Sequence, residues 1–179
     1  MARAPFGVRP AVASDGPAIG DVHAESWLAA YTQIFDDEFL VGAAESRRVG
    51  WPTLIEHLLV PPNLLLVGEL DGTVAAFGHA APSDEPGTIE VCGFYAHPAA
   101  WSSGIATVLM TELLANVVSE FDRAMLWTFR DAAQAHRFYG KTGYTLTGRA
   151  RSEELTDWSN RRTAARPAVQ FAKRLDAES

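Results

Sequence analysis

Two stretches of the chain hold residues that could do chemistry. The first, Trp101-Ser102-Ser103-Gly104-Ile105-Ala106, stands between a β-rich run and an amphipathic helical one. A strand that turns through serines and a glycine into a helix aims free N–H groups forward, and the helix dipole makes that position attractive to an anion. Ser102 and Ser103 can add hydroxyl donors, and Gly104 lets the backbone come close to a phosphate. The loop lacks a cation, because Trp101 stands where one would be expected. Taken alone, it serves equally well as a plain β-to-α connection. The second stretch is "TIEVCGFYA", residues 88 to 96, where Glu90 sits among Ile89, Val91, Cys92, Phe94 and Tyr95. A carboxylate beside an apolar cleft has its pKa raised and can take a proton directly or through water. The alternative is an edge-facing, solvated carboxylate.

Other residue types point to less. Cys92 could be a nucleophile with His79 or His97 as partner, but small strand cysteines are usually inert. His97 precedes Pro98 and is expected to shape the turn, and Arg161-Arg162 reads as a solvated loop pair. One cysteine excludes an internal disulfide framework, and the five histidines show no HxxxH or HExxH spacing, so no metal is expected.

The elements that must position these residues follow from periodicity and punctuation. Val8 to Ala11 reads as the end of a first strand, and Ser14-Asp15-Gly16-Pro17 as a helix start. Ile19, Val22, Ser26, Trp27, Ala30 and Tyr31 recur at helical spacing. A second helix is expected over 45 to 59, interrupted or restarted at Pro52. Leu64 to Leu70 and Thr73 to Ala81 flank Asp71-Gly72, a strong hairpin signal. Thr88 to Ala96 is the next strand, with Gly93 a candidate bulge. Ile105, Val108, Leu109, Leu113, Val117 and Phe121 mark a helix, and Ala124 to Phe129 a strand. Asp131 is expected to cap a short helix carrying Ala135, Phe138 (core) and Tyr139. Strands at 144–147 and 168–175 close the chain, joined by a polar connector. The order β-α-α-β-β-β-α-β-α-β-β describes one mixed α/β domain over 1–179.

Composition narrows the function classes. A net charge of −7 argues against a nucleic-acid partner. No apolar run reaches the roughly 20 residues of a membrane span, and Met1 to Pro5 lacks the apolar stretch of a secretory signal, so no membrane partner and a cytoplasmic address are expected.

The order strand, His-Pro turn, xxGxA loop, amphipathic helix, strand and then "AHRFYGKTGY" resembles the GCN5-related N-acetyltransferase (GNAT) superfamily. Trp101 to Ala106 matches the Q/R-x-x-G-x-G/A loop at Gly104 and Ala106 and departs at Trp101. Ala135, Phe138, Tyr139, Gly143 and Tyr144 match A-x-x-F-Y-x-x-x-G-[FY], while Ala132 stands where the family usually has Asn. A closer subgroup has an early W-x-x-x-Y helix like Trp27 to Tyr31. The resemblance implies a mixed, mostly antiparallel central sheet flanked by helices, with a cofactor cleft where the fourth and fifth strands splay. It implies acetyl-CoA as co-substrate, its pyrophosphate against the amides from Ser102 through Ser103, Gly104, Ile105 and Ala106 to Thr107, and Trp101 packing on the cofactor or capping the core. The pantetheine arm would pair with Phe94, Tyr95 and Ala96. Glu90 takes the role of general base and Tyr139 of general acid, with Trp27 and Tyr31 either in the core or walling the pocket of a small-molecule or peptide amine. Family members often pair, so a homodimer is one expectation. The competing reading is a non-catalytic acyl-CoA-binding module, degenerate at Trp101 and Ala132.

Overall fold

The computed structural model describes residues 6–176. Its strands are β1 (Phe6–Pro10), β2 (Leu64–Leu70), β3 (Thr73–Pro82), β4 (Thr88–Ala96), β5 (Arg123–Phe129), β6 (Thr145–Asp157) and β7 (Arg162–Arg174). Its helices are α1 (Gly16–Ala30), α2 (Asp37–Leu58), α3 (Ile105–Ala115) and α4 (Ala133–Lys141). The strands form one sheet in the order β1-β2-β3-β4-β5-β7-β6, antiparallel except for the β4–β5 pair. The β2–β3 turn is the two-residue type expected from Asp71-Gly72, with φ of 52° and 81°. Among the described residues, no helix is long and apolar enough to cross a membrane.

Side chains alternate along the central strands, so the two faces carry different cores. Leu66, Ala76, Ile89 and Leu126 pack with Ile105, Leu109 and Leu113 of α3 and with Tyr139 of α4. Leu65, Val67 and Phe77 pack on the other face with Ile19 and Val22 of α1 and Trp51 and Ile55 of α2. Helices thus cover both faces.

The break in the sheet lies between β4 and β5. They pair only at Thr88, Glu90 and the residue between, opposite Arg123 to Met125. Beyond Glu90, β4 stays with β3 while β5 stays with β7. The β3–β4 register skips from His79–Gly93 to Ala80–Val91, so the bulge leaves Cys92 as the extra residue, next to the expected Gly93. A bulge bends its strand and sharpens the twist, which steers β4 away from β5.

Several boundaries differ from the expectation. α2 begins at Asp37, where the Asp36 side chain accepts from the Phe39 N–H at 2.9 Å, and it runs unbroken through Pro52. Proline removes the N–H that would bond the Arg48 carbonyl. That carbonyl faces α1 at a glycine, and a Cβ on Gly20 would stand 2.6 Å from it. Packing through Gly16 and Gly20 therefore keeps the helix continuous. α4 is not capped by Asp131; its N-cap is the buried Ala132, without a side-chain bond. Asp15 lies at the start of α1, but its carboxylate serves Arg9 (2.7 Å) and the Val12 N–H (2.9 Å).

The largest difference is at the C-terminal end. The polar connector is strand: β6 and β7 are 13 residues each and pair out to Asp157–Arg162. Cross-strand pairing with polar side chains, rather than an apolar run, holds this ribbon. Its tip docks on α2. The Asp157 carboxylate, fully buried, accepts from the Ser159 and Asn160 N–H groups and from Asn160 Nδ2. Arg162, at the surface, reaches Asp36 (3.2 Å) and Glu38 (3.1 Å). Gly42 of α2 has no room for a side chain, since a Cβ there would overlap the Asp157 carboxylate. Gly42→Ala should therefore lower stability by about 1–3 kcal/mol, the usual cost of overpacking. Denaturant unfolding of the purified variant measures this, and an unchanged midpoint would show that the ribbon tip does not bear on the fold.

Candidate active site

Where β4 and β5 part, a cleft of about 990 Å³ opens through the sheet. One side belongs to the loop before α3 and to α4, the other to α1 and α2. Among the residues singled out from sequence, Glu90, Phe94, Tyr95, Ala96, Trp101, Ser102, Gly104, Ala106, Thr107, Trp27, Tyr31 and Tyr139 all line it. Ser103 and Ile105 do not; Ile105 is wholly buried in the core beneath the loop.

The bent strand supplies unpaired backbone. The His97 N–H donates to the Ala75 carbonyl at 2.8 Å, which makes His97–Ala75 a hydrogen-bonded pair. Antiparallel pairs alternate, so Phe94 and Ala96 turn their N–H and C=O groups away from β3, towards the gap. The Ala96 carbonyl is already taken twice. Ser26 Oγ of α1 donates to it at 2.7 Å and Trp101 Nε1 at 2.9 Å. Trp101 is thus a structural tie between loop and strand, and α1 is tied to the same atom. The N–H groups of Phe94 and Ala96 and the Phe94 carbonyl remain for a ligand.

The loop is equally specific about which donors it frees. The Ser103 N–H donates to the Ala100 carbonyl, the Thr107 N–H to the Gly104 carbonyl and the Ile105 N–H to Ser103 Oγ. Among the described residues, the amides of Ser102, Gly104 and Ala106 have no partner. Ser102 and Gly104 both hold positive φ, 64° and 97°; glycine carries the second without strain. His97 Nδ1 accepts from the Ala99 N–H at 3.1 Å and so fixes the turn that enters the loop.

Glu90 stands at the vertex, the last residue of β4 paired with β5. It is half-buried, its carboxylate receives no hydrogen bond among the described residues, and desolvation raises its pKa, with Arg151 opposing and Glu153 and Asp84 adding. Tyr139, nearly buried on α4, has its phenol pushed far above the usual range, chiefly by burial. Phe138 is half-buried and stacks on Phe94 with ring centres 5.5 Å apart, so it lines the cleft as well as touching the core. Cys92 has its thiol pushed up to about 11 by desolvation and by Glu90. Its proposed partners are committed elsewhere, His79 to Asn63 Oδ1 at 2.9 Å and His97 to its own turn.

The α1–α2 side holds residues that sequence reasoning passed over. His23 precedes Trp27 and Tyr31 at four-residue steps, so the spacing was there, but a polar residue hid it. Its ring lies 4.4 Å from that of Tyr95, centre to centre, and its Nδ1 accepts from Trp51 Nε1 at 2.9 Å. Burial holds its pKa well below the usual value, with the charge of Arg47 adding. His23 is therefore neutral and presents Nε2–H. The Arg47 guanidinium lies 3.4 Å from the centre of the Trp27 ring. Nothing in the sequence separates Arg47 from its neighbour Arg48, which pairs with Asp21, Glu25 and Glu45 on the outer surface. Among the described residues, no group of three or more His, Cys, Asp or Glu is placed to hold a metal ion.

Residues 23–144 match the family model described as the acetyltransferase (GNAT) family. No curated protein matches the chain by sequence. Among solved structures, the PaiA N-acetyltransferase of Thermoplasma acidophilum in complex with coenzyme A superimposes with a TM-score of 0.75 at 18% identity, over 94% of this chain and 98% of that one. A GCN5-related N-acetyltransferase of Rhodopseudomonas palustris gives 0.74 at 16%, over 98% and 99%. YncA of Salmonella typhimurium, a protein described as an acetyltransferase and solved with its cofactor acetyl-CoA, gives 0.65 at 19%, over 98% and 97%.

The shared carbonyl yields a stability test. Trp101→Phe and Ser26→Ala each remove one of two donors to Ala96 and should each cost roughly 0.5–1.5 kcal/mol. The double variant strands the carbonyl and should cost more than their sum, a coupling that denaturant unfolding of all four proteins measures. Strict additivity would mean that the two bonds are not redundant.

Proposed function

This chain belongs to the acetyltransferase (GNAT) family, and from that premise we propose that it transfers an acetyl group from acetyl-CoA to a primary amine of a small molecule or peptide. The observation that carries the reading is the cleft at the β4–β5 splay. It joins an unbonded carboxylate, a protonated phenol and free strand amides on one path through the sheet.

The residues fit the donor molecule piece by piece. The free amides of Ser102, Gly104 and Ala106, at the N-terminus of α3, suit the pyrophosphate. Arg137 and Lys141 of α4 border the same cleft and supply the positive charge that Trp101 does not. The amide-rich pantetheine arm pairs with the exposed backbone of Phe94, in the manner of an added strand. Ala96 contributes its N–H alone, because its carbonyl is committed to Ser26 and Trp101.

The chemistry then divides among this chain's groups. An alkylammonium has a pKa of about 10 and must lose a proton before its nitrogen can attack. Glu90, with a raised pKa and a free carboxylate, accepts that proton directly or through one water. The nitrogen attacks the thioester carbonyl in a ternary complex, and a β4 N–H near Phe94 or Ala96 stabilises the oxygen as charge develops on it. Tyr139 stays protonated because burial disfavours its phenolate, and it gives its proton to the departing thiolate. The same dry surroundings raise the thiolate's own proton affinity, which offsets the rise in the phenol's. Trp27 and Tyr31 wall the acceptor's side.

Tyr139→Phe should lower kcat by roughly 10²–10⁴-fold with little change in acetyl-CoA affinity. Glu90 must be ionised to act, and its pKa is raised, so activity should fall as pH drops through a value above the ordinary Glu value of about 4.3. Glu90→Gln should remove that acidic limb. Free-thiol release from acetyl-CoA, followed from acid to neutral pH with a panel of amines, measures both. A normal kcat in Tyr139→Phe, or an unmoved limb in Glu90→Gln, removes the corresponding role.

The loop is tested apart from catalysis. Gly104→Ala strains a backbone at φ 97°, whereas Gly104→Asp adds a negative charge beside the free amides. Calorimetry should show Asp weakening acetyl-CoA binding well beyond Ala. Equal effects would place the phosphates away from this loop.

A further inference from the structure

Arg47 is the anomaly of the cleft. Arg9, Arg48, Arg123, Arg149, Arg151, Arg162 and Arg174 each meet a carboxylate. Arg130, Arg137 and Arg161 also meet none among the described residues but are exposed, and Arg166 donates to two carbonyls; Arg47 meets none and is withdrawn from the surface. Its Nη1 donates to the Ala43 carbonyl at 2.8 Å, one turn back in α2, and that is the bond it makes. Guanidinium has five N–H donors in a planar fork, so most of its capacity is unspent. Burial is the largest influence on it and acts against its charge. Stacking over the Trp27 indole recovers part of that loss by cation–π attraction.

The groups around it donate as well. His23 is neutral with Nδ1 occupied by Trp51, which leaves Nε2–H. Tyr31 is held protonated by burial, with Tyr95 adding. Trp27, 2% exposed, has an Nε1–H without a hydrogen-bond partner among the described residues. All of these residues line the cleft, and no Asp or Glu of α1 or α2 lines it with them. A desolvated wall of donors around an unpaired cation is complementary to an oxyanion and hostile to a second cation.

Resting on the acetyltransferase reading, we propose that the acceptor is a small amine carrying its own carboxylate or equivalent oxyanion, an amino-acid-like molecule, whose anionic group Arg47 binds while its amine meets Glu90. Arg47 is then a specificity-determining residue. Planar bidentate pairing makes arginine, rather than lysine, suited to this task.

The test uses the twenty standard L-amino acids and their carboxamides, with acetyl-CoA as donor and free-thiol release as readout. The wild-type enzyme should prefer the acid of its best pair by about 10- to 100-fold in kcat/KM, the range for a charged hydrogen-bonded contact. Arg47→Gln should erase the preference through KM, and Arg47→Lys should restore part of it. Both should bind acetyl-CoA normally, and Arg47→Gln should melt no lower than wild type, since it removes an unpaired desolvated charge. A wild type that treats acids and amides alike, or an Arg47→Gln enzyme that keeps the preference, overturns the proposal. If none of these amines is turned over, melting temperatures with the same acids decide Arg47 separately. Stabilisation of wild type by acids, absent with amides and in Arg47→Gln, upholds the anion site; equal melting throughout rejects it.

Discussion

A sheet cannot leave backbone groups unpaired without a use for them, and here β4 leaves β5 after only three residues of pairing. Each buried N–H or C=O deprived of a partner costs about 1–3 kcal/mol. The structure answers that cost locally. The bulge at Cys92 bends β4 away from β5, and apart from that residue the side facing β3 stays paired. On the other side, Ser26 and Trp101 converge on the Ala96 carbonyl. What remains open is a short set of strand groups with a half-buried carboxylate at one end and a buried phenol across the gap. The cleft is thus a consequence of strand divergence, and both the loop and α1 are fastened to the diverging strand at one carbonyl.

The two ends of the cleft differ in electrostatic character. Near the loop, the positive ends of peptide dipoles face outward at Ser102, Gly104 and Ala106. On the α1–α2 side, side chains take over, and they are neutral donors except for Arg47. Adjacent arginines show how narrowly this is set. Arg48 gathers three carboxylates on the surface, while Arg47, one residue earlier and turned about 100° round the helix, finds aromatic rings and no carboxylate. The uneven distribution of acids, rather than their number, gives the cleft its sign.

Much of this order was legible in the sequence. The sequence of elements, the Asp71-Gly72 turn and the loop-to-helix junction at Gly104 all rest on local chemistry that a residue carries wherever it is placed. The unread parts rest on distant partners. Pro52 reads as a helix break because the compensating feature is Gly20, 32 positions away. The β6–β7 ribbon reads as a connector because its polar strands are held by pairing with each other and by Asp157 against Gly42. Asp131 reads as a cap, yet α4 starts from the buried Ala132. In the site, Glu90 and Tyr139 stand out as residues against their background, whereas His23 and Arg47 acquire meaning only from what surrounds them.

Trp101 illustrates how one substitution of type can change a loop's logic without changing its shape. A cation at this position would add charge-assisted bonding to a phosphate. The indole instead spends its N–H on the Ala96 carbonyl and so holds the loop against the strand. Holding the loop fixes the direction of its free amides, and preorganised dipoles stabilise an anion without the reorganisation that a flexible side chain needs. The charge is not lost to the cleft as a whole, because Arg137 and Lys141 border it from α4. Geometry and charge, which a flanking arginine would combine in one residue, are divided here between a tryptophan that positions and a helix that neutralises.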